Sequence, residues 1–246
     1  MKPDSARVFL TAEWRHLAML NYIIDPALLK PLVPAGTELD FLGGQTYVSM
    51  VGFLFLNTRV RGIPIPFHRN FEEINLRFYV RRKAADGSWR RAVVFIREIV
   101  PRFAIAFVAR TIYNEPYISL PTSHQIERRP ETEHGIKSVA YSWKFKGNNH
   151  FIKIMTCGEV RTLVEGSEAE FIAEHYWGYT AQRDGSTMEY QVEHPRWRVW
   201  DSASAELHCD VEALYGQEYG SVLNRPPDSA FLAEGSAVNV YQGVRI

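Results

Sequence analysis

The feature that most constrains this chain is a run of strict alternation. In Phe71 to Arg82, the apolar residues Ile74, Leu76, Phe78 and Val80 take turns with Glu73, Asn75, Arg77 and Tyr79. Successive side chains of a strand point to opposite faces, so this is the period of a half-buried β-strand. Asp86-Gly87 follows as a hairpin turn, and Trp89 to Ile99 predicts the returning strand. A second hairpin is expected from Ile136 to Phe145 and His150 to Cys157, joined by Gly147-Asn148-Asn149. Further strands are expected at His16 to Ile24, Gln45 to Val60, Met188 to Val192, Trp197 to Cys209 and Ala237 to Tyr241. Within the Gln45 strand, Gly52 has no side chain to pack and predicts a bulge or tight curvature.

Helices are few. Asp25 caps one that opens at Pro26 and ends by Pro34. Pro101 opens a second, with Ile105, Val108, Ala109 and Ile112 as its apolar stripe. Ser167 and Glu170 form the capping box of a third, whose packing face is Phe171, Ile172, His175 and Tyr176. A short helical turn is expected near Val211 to Tyr215. Many antiparallel strands and so few helices predict an α+β, mainly-β domain, a closed or half-closed barrel with helices packed outside. Closure also removes exposed strand edges. There is no repeat, low-complexity tract or linker, and 246 residues suit a single domain over residues 1–246. Neither G-x-G-x-x-G nor G-x-x-x-x-G-K-[ST] occurs, so nothing predicts a parallel, nucleotide-binding sheet.

Charge and cysteine content narrow the function classes. The 28 Lys and Arg balance the 28 Asp and Glu, so no global field favours nucleic acid or an anionic bilayer. The pairs Arg81-Arg82, Arg90-Arg91 and Arg128-Arg129 read as solvated strand ends. The N-terminus lacks the apolar stretch of a signal peptide, and no segment has the length of a membrane span. Cys157 and Cys209 lie far apart and outside any C-x-x-C pattern, which reads as two core thiols in a reducing, cytoplasmic setting. His124, His134, His175 and His208 lack the paired spacing of a metal site, and no H-E-x-x-H or G-x-S-x-G occurs. The chain is therefore expected to work without a metal or cofactor.

The polar face of the alternating strand carries the chemical signal. Glu73, Asn75, Arg77 and Tyr79 share one side, roughly 7 Å from one to the next. Facing a barrel interior, they would line a small cavity in which Arg77 binds a carboxylate and Glu73 shuttles a proton. Facing outward, they would be an ordinary solvated surface, and alternation alone leaves both readings open. Schiff-base chemistry needs a lysine that burial or a neighbouring cation keeps unprotonated. The chain has few lysines, and Lys153, between Ile152 and Ile154, is the one that strand burial could reach.

A set of segments resembles one family along nearly the whole chain. They include Trp14-Arg15-His16-Leu17, Asn21-Tyr22, Asp25-Pro26, Val33-Pro34-Ala35-Gly36-Thr37 and Tyr47-Val48-Ser49-Met50-Val51-Gly52-Phe53. Gly62-Ile63-Pro64, Glu73 to Val80, Phe171-Ile172-Ala173-Glu174-His175-Tyr176-Trp177 and His194-Pro195-Arg196-Trp197 complete it. The combination resembles the bacterial YqjF-like family of unknown function (DUF2071). That family is in turn similar in fold to acetoacetate decarboxylase, a cone-shaped antiparallel β-barrel enclosing a pocket.

In the decarboxylase, a Gly-Arg-Glu segment leads to Pro-Lys-Lys, whose first lysine forms the Schiff base beside a second cation. Here Ala109-Arg110-Thr111 leads to Pro116-Tyr117-Ile118, so the resemblance puts Tyr117 where the amine should be. A phenol cannot condense with a ketone, so the imine route is not expected. What the resemblance leaves is the pocket, with Glu73 and Arg77 as catalytic candidates and Asn75, Arg97 and Tyr117 as ligand-binding ones. Arg97 belongs to this set in one register; in the opposite one Glu98 faces inward. The expected function is binding of a small polar molecule, a carboxylate or a ketone. The alternative is an enzyme acting on small oxo acids by acid–base chemistry. Association into a homo-oligomer is left open.

Overall fold

In the computed structural model, residues 7–101, 114, 116–130 and 135–246 are described. The first strands are β1 (Val8–Ile24), β2 (Glu38–Leu39), β3 (Thr46–Val60), β4 (Ile63–Pro64), β5 (Phe71–Lys83) and β6 (Trp89–Val100). They are followed by β7 (Tyr117–Ser119), β8 (Thr122–Arg128), β9 (Ile136–Phe145) and β10 (Asn148–Thr162). The last are β11 (Trp177–Ala181), β12 (Thr187–Glu193), β13 (Arg198–His208), β14 (Ser229–Tyr241) and β15 (Val244–Arg245). Among the described residues four short α-helices accompany them: α1 (Pro26–Leu29), α2 (Glu168–Ala173), α3 (Val211–Tyr215) and α4 (Gly220–Leu223). The helix expected after Pro101 lies outside the described residues.

The strands form one sheet that closes on itself. Its path runs β12-β11-β6-β5-β3-β1-β14, and β12 pairs with β14 through Val192↔Val240 and Glu193↔Asn239, completing a ring. Most pairings are antiparallel, as expected, but β6 pairs in parallel with both β11 and β7. Beyond β14 the sheet continues through β13, β10, β9 and β8, and this second part folds over the outside of the ring.

Two cores result. The inner one gathers Ala12, Met19, Val51, Phe53, Val192 and Val238, from strands all round the ring, and receives Phe171 and Ile172 of α2. The outer one lies between the ring and the overlying sheet, where Leu76 and Phe78 meet Tyr141, Trp143, Ile152 and Leu214. The β5 strand is consequently buried on both faces, which corrects the half-buried expectation.

A bulge in β1 makes the inner core continuous. Against β3 the register shifts between Arg15 and Ala18, and His16 takes a left-handed φ of 55°. The extra residue changes the inward parity from Ala12 and Trp14 to Leu17 and Met19. The distortion expected at Gly52 thus sits in the partner strand. Gly52 itself admits the overlying sheet: a Cβ there would lie 2.6 Å from Ile152 Cδ1 and 2.7 Å from Tyr141 Cδ2. Tyr141 OH also donates to the His16 carbonyl at 2.8 Å, tying the second sheet to the bulge.

Local signals behave as expected in part. Asp25 accepts from the Ala27 amide at 2.8 Å and starts α1. The second hairpin turns on Lys146-Gly147, with φ of 49° and 83°, one residue before the expected Gly147-Asn148-Asn149. Ser167 caps α2, but the Glu170 carboxylate reaches back to the Gly166 amide at 2.6 Å, and α2 ends at Ala173, before His175 and Tyr176. The arginine pairs are not simply solvated: Arg82 and Arg90 both bond the buried Glu189 carboxylate, at 3.1 and 2.5 Å. Nor are the cysteines core thiols, since Cys157 is exposed and Cys209 half-buried.

Candidate functional site

The ring turns the polar face of β5 inward. Glu73, Asn75 and Arg77 are 3%, 2% and 9% exposed, and Tyr79 beside them is buried. Glu73 is held by two neutral donors: Asn75 Nδ2 at 3.0 Å to Oε1, and Tyr117 OH at 3.1 Å to Oε2. Tyr117 reaches it because β7 pairs with β6 so that Tyr117 stands opposite Glu98, which stands opposite Asn75. Burial pushes the Glu73 carboxyl up from 4.5 to about 7, against the Asn75 and Tyr117 hydrogen bonds and the Arg77 charge, which hold it down.

Arg77 is a buried cation whose direct hydrogen-bond partners are neutral. Its Nε donates to Tyr79 OH at 3.4 Å, and its Nη2 lies 3.3 Å from the Ile172 carbonyl and 3.9 Å from Met19 Sδ. No described carboxylate is in ion-pair contact with it. The second arginine at this end of the ring differs: Arg91 Nε bonds the buried Asp40 at 2.8 Å, and its Nη2 donates to the Phe171 carbonyl at 3.1 Å. Two guanidinium groups thus fasten the last carbonyls of α2, where the helix dipole is negative.

Buried polar atoms in the ring without a hydrogen-bond partner among the described residues include Trp14 Nε1, Asn75 Oδ1 and both ring nitrogens of His175. His175 follows α2 and lies against Tyr79, ring centroids 4.7 Å apart. Burial, then the charges of Arg91 and Arg77, push its pKa well below 6.5, and the Ile172 carbonyl acts the other way, so the imidazole is neutral. Below the polar end the interior is aromatic, with Trp14 edge-on to Phe53 and Phe55, and Phe55 stacked on Phe71.

The expected site residues therefore divide. Glu73, Asn75, Arg77 and Tyr117 come together. Arg97 does not: it pairs with Leu76 and faces the outer core near Tyr215, because the observed register puts Glu98 opposite Asn75. Lys153 is exposed, as are Lys30, Lys83, Lys137, Lys144 and Lys146, which leaves only Lys2, outside the described residues. Sequence reasoning missed Asn21 and Ser49 in the interior, and put His175 on a packing face without placing it beside the polar site. The signal for Asn21 and Ser49 was present as a polar residue interrupting the apolar runs 17–24 and 47–56. Among the described residues no group of three or more His, Cys, Asp or Glu converges on a metal position.

Solved structures share this architecture. The acetoacetate decarboxylase of Legionella pneumophila subsp. pneumophila str. Philadelphia 1 is similar with a TM-score of 0.66 at 14% identity, over 99% of this chain and 90% of that one. An acetoacetate decarboxylase-like enzyme from Sphingomonas wittichii RW1 gives 0.67 at 11% identity, over 98% and 94%. The enduracididine biosynthesis enzyme MppR complexed with pyruvate gives 0.67 at 10% identity, over 98% and 91%. Identities this low carry the fold and no activity: the fold is mainly β and similar to that of acetoacetate decarboxylase. The model of the DUF2071 family, an uncharacterized conserved protein, matches residues 11–237, and the chain belongs to that family. The uncharacterized protein YqjF of Bacillus subtilis (strain 168) is 36% identical over 105 residues, an alignment spanning 42% of this chain and 41% of that protein.

Proposed function

We propose that this protein binds a small carboxylate, an oxo acid or a close relative, inside the ring against Arg77, Glu73, Asn75 and Tyr117, without Schiff-base chemistry. The observation that carries the reading is Arg77 itself. A buried charge without an ion-pair contact is costly, and among the described residues the groups that hydrogen-bond this one are neutral. An anionic ligand supplies the missing partner, and Asn75 Oδ1 and His175 offer its other polar atoms contacts that the protein leaves unmade. MppR, with a similar fold, has been solved with pyruvate bound, which makes pyruvate the first probe. The exposed lysines support a non-imine site.

Thermal shift with pyruvate, acetoacetate and a panel of other carboxylates tests the reading. Binding to the native state alone raises the melting temperature with ligand concentration by mass action. A panel in which no carboxylate shifts the midpoint contradicts it.

A second reading, an acid–base enzyme on oxo acids, is favoured by Glu73. A carboxyl titrating at about 7 can both give and take a proton at neutral pH. With the ligand carboxylate on Arg77, ionised Glu73 would take a proton from the carbon next to the ketone, and the electron pair would pass to the carbonyl oxygen as an enolate. Deuterium entry at the pyruvate methyl, followed by NMR, reads this step. The enzyme reading requires exchange in the wild type and its loss in Glu73→Gln. Equal exchange in both removes Glu73 from the mechanism.

A further inference from the structure

One hydrogen bond of Arg77 leads out of the site. Tyr79 OH, which takes the Arg77 Nε–H, lies 2.6 Å from Ser49 Oγ. Ser49 donates to Asn21 Oδ1 at 2.7 Å, and Asn21 Nδ2 donates to Ser229 Oγ at 3.0 Å. The Ser229 hydroxyl then bonds the carboxylate of Glu168, in the first turn of α2. The interior members are deeply buried: Asn21 and Ser49 are 0% exposed and Tyr79 is 1%.

The direction of every bond in this chain is forced. An ionised carboxylate only accepts, so the single Ser229 proton points at Glu168. Ser229 oxygen must then accept from Asn21, which fixes the amide nitrogen on that side. The Asn21 oxygen therefore faces Ser49 and takes its one proton. Between Tyr79 and Ser49 either hydroxyl could donate in isolation, but Ser49 has no proton left, so Tyr79 donates. Tyr79 oxygen is left as an acceptor, and the Arg77 Nε–H occupies it. All the donors point from cation to anion, so each bond polarises the next.

We infer that Glu168 is a positioning residue that acts through Ser229, Asn21, Ser49 and Tyr79 as the remote counter-charge of Arg77, fixing the Nε side of its guanidinium. No described residue accepts from Nη1, so that edge remains for an anion. The same short helix holds the guanidinium at its other end, where the Ile172 carbonyl takes Nη2. Tyr79, its proton committed to Ser49, can serve a ligand only as an acceptor. That this pre-orients a ligand anchor rests on the function proposed above; the polarised chain itself does not.

Arginine side-chain NMR on the whole, ligand-free protein tests it, with the Arg77 Nε–H signal identified by its loss in Arg77→Lys. Exchange of that proton with water is expected to be slow in the wild type and about tenfold faster in Ser49→Ala, the change that losing one net hydrogen bond implies. Glu168→Gln has no charge and can offer Ser229 either a donor or an acceptor, so the direction is no longer imposed and exchange accelerates several-fold. Tyr47→Phe removes the other Glu168 contact, Tyr47 OH to Oε2 at 3.4 Å, without touching the chain, and leaves the rate unchanged. A wild-type rate in Glu168→Gln, or equal acceleration in Tyr47→Phe and Glu168→Gln, overturns the inference. Pyruvate titrations of the same proteins keep the two ideas apart: a wild type that ignores pyruvate fails the binding proposal, while the exchange pattern still decides the relay.

Discussion

The two faces of β5 are equally buried and chemically opposite. Outward, Ile74, Leu76, Phe78 and Val80 are all at 0% exposure in a hydrocarbon core. Inward, Glu73, Asn75 and Arg77 bury two ionisable groups and an amide in the same strand. Removing apolar surface from water stabilises by about 25 cal/mol per Å². Removing a charge from water costs free energy that only a good partner offsets. The outer face is thus what a stable strand requires, and the inner face is an expense that stability alone does not explain.

Substitutions can break this contrast, beginning with the largest effect. Phe78→Ala on the outer face should cost about 3–5 kcal/mol by urea denaturation, because a large cavity opens between two rigid sheets. Arg77→Met, on the adjacent inward position, should leave stability unchanged or raise it, since an apolar side chain of similar volume replaces a poorly partnered charge. Equal losses in the two variants would erase the distinction. Gly52→Ala should cost about 1–3 kcal/mol through the clash with Tyr141 and Ile152, as measured by thermal unfolding, which probes the seam between the sheets.

The pH dependence sharpens the inner side. Glu73 keeps its proton in the folded chain up to about 7, whereas the unfolded chain loses it near 4.5. The native state then binds more protons over that window, so this contribution is complete below 4.5 and is lost as pH rises through about 7. Between about pH 5 and 7 it should remove about 2 kcal/mol, and Glu73→Gln should flatten that part of the stability profile. The smallest effect is at α2, the helix that closes the inner core. Ser167→Ala should cost about 1 kcal/mol in denaturant melts, the usual worth of a lost N-cap.

What the sequence made legible follows the range of each signal. The β5 alternation, the Asp86-Gly87 hairpin, the Asp25 cap and the helical turn at Val211 to Tyr215 are local, and all are present. Alternation also grouped Glu73, Asn75, Arg77 and Tyr79 on one face. It could not say which face was inside, because that depends on β12 meeting β14 almost fifty residues further along the chain. Register was the other gap. A one-residue bulge between Leu76 and Arg77 in the β5–β6 ladder decides that Glu98, not Arg97, stands on the polar face. Likewise the His16 bulge exchanged the inward positions of β1, so Asn21 gave no periodic hint of its place beside Ser49.

The proposal that the inner face of β5 holds an anion on Arg77 turns on that one side chain. Calorimetric titration of pyruvate into the wild type and into Arg77→Met tests it most directly, because the substitution should spare the fold. Saturable heat is expected with the wild type and none with Arg77→Met at matched stability. Indistinguishable binding curves for the two proteins would contradict it.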